Sequence, residues 1–392
     1  MITRCTIFCL IAVSVAVAEP TLYHSATIYT GDNENTVAQA MLVEDGRIVA
    51  VGAEPDIRAN AGSSASAVDL GGMYVYPGFI DAHGHLPGLA QSLMTLDFVG
   101  TDSYQEIVEL VAERAATLPP GTWIQGRGWD QNDWPEKAFP HHAALSKNAP
   151  DHPVLLTRVD GHAALANAMA LELAGINANT RDPHGGKIIR DEDGAPTGVL
   201  IDRAQALVSR HIPPPAVAEL RAGLIQAGRV CIENGLTSVH DAGIPAELVE
   251  LYQNLMDAGD WHLRVYAMLS AGDRDGLQRW FERGPQIDAT NPRLTVRSIK
   301  AMADGALGSR GAAMFAPYSD DPDNMGLLIT DFGALKELTD SALRHGFQVC
   351  THAIGDRANR VVLDAYEAAM KAAPTADARL RIEHAQVVAL ED

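Results

Sequence analysis

Cysteine is scarce in this chain, basic charge is in deficit, and no apolar run is long enough to cross a bilayer. Of the four cysteines in 392 residues, Cys5 and Cys9 fall in the N-terminal apolar stretch, so no disulfide framework is expected and the fold must rest on its core. Lysines and arginines number 30 against 50 aspartates and glutamates, a formal charge of -20 that repels phosphate backbones and anionic membrane surfaces. Nucleic acid is therefore not an expected partner. The stretch Cys5 to Val17, broken only by Thr6 and Ser14, falls short of the roughly 20 residues of a spanning helix, and nothing later is apolar enough to replace it.

What that stretch does have is the layout of a secretory signal. One early charge, Arg4, precedes a short apolar core, and Ala16-Val17-Ala18 before Glu19-Pro20 supplies small residues for a cut after Ala18. Residues 1–18 are thus read as a signal peptide, and an exported product, periplasmic or secreted, would begin near Glu19 with only Cys231 and Cys350. Hydrophobic residues make up 47% of the chain, enough for one large α/β domain with a smaller attachment.

Residues 19–76 carry short β-type runs punctuated by turn residues. Thr27-Ile28-Tyr29-Thr30 precedes Gly31-Asp32-Asn33, and Ala40 to Val43 and Arg47 to Gly52 flank Asp45-Gly46, a tight hairpin signal. From residue 77 the pattern becomes one of helix-period segments alternating with β-branched runs, which predicts βα units and a parallel sheet. Helices are expected over Tyr104 to Ala116, Ala216 to Asn234, Ala246 to Asp257, Ala334 to Arg344 and Arg357 to Ala373. Between about 121 and 211 a stretch rich in Gly, Pro, Trp and His interrupts the alternation. It reads as a long irregular insertion covering the substrate.

The chemistry gathers at strand ends. Tyr76-Pro77-Gly78-Phe79-Ile80-Asp81-Ala82-His83-Gly84-His85-Leu86 ends an apolar run in His-Gly-His, and residues two apart on a strand share a face, so two imidazoles stand together with Asp81 on the same side. Such a pair is half of a metal site or a surface turn; taken alone the triplet does not say which. Three later strands reach further candidates: Ile299-Lys300 with Asp304, Cys350-Thr351-His352, and Ile382-Glu383-His384. In a (β/α)8 barrel the C-terminal strand ends converge, which would bring His83, His85, Lys300, His352 and His384 to one mouth. A desolvated lysine loses its proton more readily and can take up carbon dioxide as a carbamate, an anionic oxygen ligand able to bridge two ions.

These residues, together with Asp160-Gly161-His162, Asp304-Gly305-Ala306-Leu307-Gly308-Ser309-Arg310, His352-Ala353-Ile354-Gly355-Asp356-Arg357 and Arg381-Ile382-Glu383-His384-Ala385-Gln386, resemble the amidohydrolase superfamily, in its type 3 group of N-substituted formamide deformylase-like enzymes. The resemblance implies a (β/α)8 TIM-like barrel over residues 77–392 and a small β-sandwich module begun by residues 19–76. It also implies a site holding one or two divalent ions, zinc first, although manganese, iron and cobalt suit the same donors. The ligands would be His83 and His85 from the first strand, Lys300 from the fourth, carbamylated if two ions are bound, His352 from the fifth and His384 from the sixth. His162 and Asp304 are candidate catalytic groups, His162 to hold the carbonyl or leaving group and Asp304 to orient ligands or substrate, and Trp129 with His162 would line the substrate pocket. The implied reaction is hydrolysis of a small amide-type, non-peptide C-N bond by metal-activated water.

The family pattern runs on to a metal-binding aspartate on an eighth strand and then back to the β-sandwich, whereas this chain ends at Glu391-Asp392. The expectation is a truncated form with C-terminal strands missing, edges open to homo-oligomer pairing, and, as the alternative function, a metal- or ligand-binding barrel that lacks catalysis. A carbohydrate-active barrel built on paired carboxylates would share the fold but leave the histidines without a role. His141 and His142 are expected to be loop residues.

Overall fold

Two positive-φ residues start the architecture. Asp45 (φ 48°) and Gly46 (φ 74°) form the primed turn that the right-handed twist of a hairpin favours, and it joins strand Ala40–Glu44 to Arg47–Gly52. These strands belong to a four-stranded sheet in the order Arg47–Gly52, Ala40–Glu44, Thr21–His24, Ser66–Asp69. Its inward side chains, Leu22, Ala40 and Leu42, pack with Ile57 and Ala61 from helix Glu54–Ala61. A three-stranded sheet of Val37–Ala38, Thr27–Tyr29 and Tyr74–Val75 encloses Ala26, Ile28 and Ala38. This unit ends at Phe79, and a second compact unit runs from Ile80. The computed structural model describes residues 19–183, 186–287, 293–307 and 310–392; the expected signal, 1–18, lies outside the described residues.

The second unit is an α/β fold built on a six-stranded sheet curled toward a barrel. Its strands are hydrogen-bonded in chain order: first Phe79–Gly84, second Leu236–Ile244, third Arg264–Ser270, fourth Leu294–Met302, fifth Gln348–Ala353 and sixth Arg381–His384. The second to sixth pair in parallel. The two edge strands meet through side chains, with Arg381 Nη2 donating to Ala82 O at 2.9 Å and Glu383 against His83.

Helices between the strands follow the apolar period. Phe332–Arg344 is capped by Asp331, which accepts from Ala334 N, and buries Leu335, Ala342 and Leu343; Asp356–Ala372 buries Ala358, Val362, Ala365, Tyr366 and Ala369. Asp356–Ala372, Val217–Glu233, Ala246–Asp257 and Tyr104–Ala115 lie within a residue of their expected bounds, while Phe332–Arg344 begins two residues before the expected Ala334.

The stretch expected to be an irregular insertion is instead ordered. A second six-stranded sheet takes the order Gly186–Arg190, Pro196–Asp202, Ala163–Ala166, Val154–Arg158, Ile124–Trp129, Leu96–Asp97. Both of its faces are covered: Leu156, Ala163 and Leu165 enter one core, while Leu155, Ala164 and Ala166 enter another. Strands buried on both sides have no polar alternation, and alanine-rich Ala163–Ala166 has little β-propensity, so the sequence signal for a sheet was absent.

Candidate metal centre

His83 stands near the end of the first strand, its N–H held by Asp81 Oδ1 at 3.0 Å. The glycine after it answers to packing: a Cβ at Gly84 would lie 2.8 Å from Val239 Cγ1 and 3.3 Å from Asp81 Oδ2. His85 is already outside the strand and leads helix Leu86–Met94. Its Nδ1 lies 3.0 Å from Ala242 O. A carbonyl only accepts, so Nδ1 carries a proton and Nε2 is the nitrogen left to act as a ligand. Buried Asp241 ties this helix start to the second strand, accepting from Leu86 N at 2.9 Å and from the Tyr252 hydroxyl at 2.6 Å. Burial pushes its carboxyl up to about 6.

Three further strands deliver the other groups. Lys300 on the fourth is 6% exposed, with Nζ 3.4 Å from His83 Nε2, and burial lowers its pKa. His352 on the fifth sets Nε2 3.2 Å from Gly305 O and 3.5 Å from Asp304 Oδ1. At the end of the sixth, His384 (φ 78°) and Ala385 (φ 43°) both adopt the left-handed conformation that costs a side-chain-bearing residue about 1–3 kcal/mol. The reversal lets the adjacent Glu383 and His384 both contact the cluster, which an extended strand forbids. The His384 ring centroid is 4.6 Å from those of His83 and His352, and His83 is 5.3 Å from His85. Burial first, then the neighbouring His352, His83 and Lys300, depress His384 to about 4, so its ring is neutral at neutral pH.

Among the described residues, no three His, Cys, Asp or Glu side chains converge at metal-ligand distance as they stand, because His83 turns to Glu383 and His352 to Gly305 O. The donor chemistry nonetheless fits a divalent cation. His83 and His85 each turn Nδ1 to an acceptor, and His83 turns Nε2 toward Lys300 Nζ, which matches the outer-shell arrangement of metal-binding imidazoles.

Other expected residues sit differently. Asp304 is fully buried beyond the fourth strand, and both its oxygens accept backbone N–H groups: Ile354 on Oδ1, Ala313 and Gly355 on Oδ2, all at 2.9 Å. These contacts make it a backbone clamp beside His352. Trp129 does not wall the site; it is 1% exposed in the core of the second sheet, stacks on Trp134, and donates Nε1–H to Leu156 O at 2.8 Å. His162 is exposed after the turn at Gly161, its N–H on Asp160 Oδ1 at 3.0 Å. His142 leads helix Ala143–Asn148, with Nδ1 2.9 Å from Ser146 Oγ, and stacks on His141. From sequence, Arg381 and Glu383 have no assigned role beyond their place in the Arg381 to Gln386 motif, while Asp241, after His240, reads as a barrel-end polar contact or a turn former.

A family model described as Amidohydrolase family matches residues 66–392. YtcJ of Bacillus subtilis (strain 168), which bears an amidohydrolase name, is 33% identical over 377 residues, covering 94% of this chain and 69% of its own length. N-substituted formamide deformylase of Arthrobacter pascens is 31% identical over 380 residues, covering 92% and 68%. Across the first three curated relatives the chain spans 64% to 69% of their lengths. The crystal structure of an uncharacterized metal-dependent hydrolase from Pyrococcus furiosus superposes with a TM-score of 0.77 at 27% identity, covering 95% of this chain and 74% of that one.

Proposed function

The chain belongs to the amidohydrolase family, and from that premise we propose that it is a metal-dependent hydrolase of carbon-nitrogen bonds other than peptide bonds, acting on a small-molecule amide. The observation that carries the reading is the gathering of His83, His85, His352 and His384 around buried Lys300 at the ends of the first, fourth, fifth and sixth strands. These four imidazoles would hold the cation, zinc being the first choice among ions that suit such donors. When bound, a divalent ion supplies a Lewis acid that polarises a carbonyl oxygen and acidifies water.

The chain's own residues prepare that site. Burial favours the uncharged amine of Lys300, whose nitrogen lone pair can attack carbon dioxide; an N–C bond forms, one proton leaves to solvent, and a carbamate with one negative charge results. That anion would balance a cation among imidazoles that bring no charge. Asp304 fixes the backbone on which His352 sits. His162 remains our candidate for holding the substrate carbonyl or leaving group.

The relative named N-substituted formamide deformylase makes N-formyl amines the first substrates to try. Wild type and the Lys300→Met and His83→Ala variants, purified with zinc or cobalt and bicarbonate, would be analysed for bound metal and for hydrolysis of N-formyl and N-acyl amines. We expect at least one metal equivalent in wild type and loss of metal in the variants. Less than a tenth of an equivalent in wild type would overturn the reading, and full loading without turnover of any amide would favour a metal-binding role. We also propose export with removal of Met1 to Ala18, on the strength of the apolar core and Ala16-Val17-Ala18; an exported product that retains Met1 by intact mass would refute it.

A further inference from the structure

The carboxylate against His83 is itself held from behind. Glu383 is 4% exposed; its Oε2 contacts His83 Nδ1, and its Oε1 lies 2.8 Å from Arg381 Nη2, an ion-pair distance without hydrogen-bond geometry. The Arg381 guanidinium also donates from Nη2 to Ala82 O at 2.9 Å and from Nη1 to His240 Nδ1 at 3.0 Å. Arginine has no acceptor, so His240 must present a bare Nδ1 to it. The His240 ring in turn stacks on Tyr266 at 4.6 Å, and the Tyr266 hydroxyl donates to Gln348 Oε1 at 2.6 Å. A polar chain thus runs from the imidazole cluster into the barrel interior, through residues of the sixth, second, third and fifth strands.

A carboxylate this buried is costly unless both oxygens are answered. One faces an arginine and the other an imidazole nitrogen that the cluster does not need for a ligand. We propose that Glu383 is a positioning residue for His83 and that Arg381 aligns Glu383 for that task, so that the pair fixes which His83 nitrogen binds metal and how tightly. The inference rests on reading the cluster as a metal centre. The carboxylate can only accept, so Nδ1 carries the proton and the lone pair of Nε2 points toward Lys300 and the other rings. The negative charge behind the ring makes Nε2 a stronger donor. Arg381, held at three points, keeps the carboxylate from rotating away, and the left-handed turn at His384 allows Glu383 to take this place beside a second imidazole.

The test uses the full chain loaded with cobalt(II), comparing wild type with Glu383→Gln, Arg381→Lys and Arg381→Met. Cobalt affinity is read by competition with a chromophoric chelator, the ligand field by visible absorption, and folding by the urea midpoint of the metal-free proteins. Glu383→Gln keeps the volume and one acceptor for His83, and should weaken cobalt binding about 10- to 100-fold with a changed visible spectrum. Arg381→Met should move both in the same direction, and Arg381→Lys, which retains the charge but not the fork, should fall between. A purely structural pair would lower urea midpoints while the folded fraction bound cobalt as wild type does; that result, or unchanged affinity and spectrum in Glu383→Gln, overturns the proposal. If Arg381→Met does not fold, Glu383→Gln and Arg381→Lys decide. Wild type that binds no cobalt overturns the metal reading and the inference with it, an outcome distinct from variants that bind like wild type.

Discussion

Asp304 offers the sharpest separation between a structural and a chemical role. Its fully buried carboxylate gathers the N–H groups of Ala313, Ile354 and Gly355, joining the segment after the fourth strand to the end of the fifth, where a Cβ at Gly355 would stand 2.0 Å from Ala313 O. Asp304→Ala strands three buried donors at about 1–3 kcal/mol each, which relaxation of the segment reduces to a total of about 4 kcal/mol. Asp304→Asn is no gentler in kind. Its oxygen can still serve Ala313 and Gly355, but the NH2 then points hydrogens at the Ile354 N–H, so a loss of about 2 kcal/mol is expected. Urea unfolding followed by circular dichroism measures the loss, and hydrogen exchange at Ala313, Ile354 and Gly355 shows whether those amides open first. An Asp304→Asn protein within about 1 kcal/mol of wild type, yet slowed by the 10²- to 10⁴-fold typical of a lost general base, would refute the clamp and make Asp304 a proton-transfer group.

Asp241 should leave a signature in pH. Its carboxyl is raised from 3.8 to about 6, mainly by burial, so the folded state holds the proton more tightly; this contribution is fully present below about pH 4 and is lost as pH rises through 6. At 1.36 kcal/mol per pH unit the loss is about 3 kcal/mol, and Asp241→Asn should remove it, so that wild type loses ground to the variant between pH 4 and pH 8 in metal-free urea titrations. A wild-type-minus-variant difference that stays constant with pH would count against this. In the second sheet, a Cβ at Gly126 would lie 2.3 Å from Phe98 Cε2, so Gly126→Ala should cost about 1–3 kcal/mol. Adding Phe98→Leu vacates that space, so the double variant should cost less than the two single changes together, and simple additivity would refute the clash.

Elements whose signals are local were legible from residue types and spacing alone. Apolar period placed helices such as Ala246–Asp257 and, from Ala334 on, the one ending at Arg344, Asp45-Gly46 announced its hairpin, and the recurrence of His or Lys at strand ends brought His83, His85, Lys300, His352 and His384 into one expectation. Those readings needed only side-chain period and turn chemistry, which act over a few residues. Tertiary structure decided what depends on partners far along the chain. The second sheet lacked a periodic signal because both its faces are buried; Trp129 joined its core because neighbouring aromatics and Leu156 O were waiting there. Asp304 became a clamp only when residues 9 to 51 positions away aimed their N–H groups at it. Glu383 could not be read from its own strand, since alternation places neighbours on opposite faces; the left-handed backbone at His384 and Ala385 breaks that rule, and contacts across 300 residues give the carboxylate its imidazole.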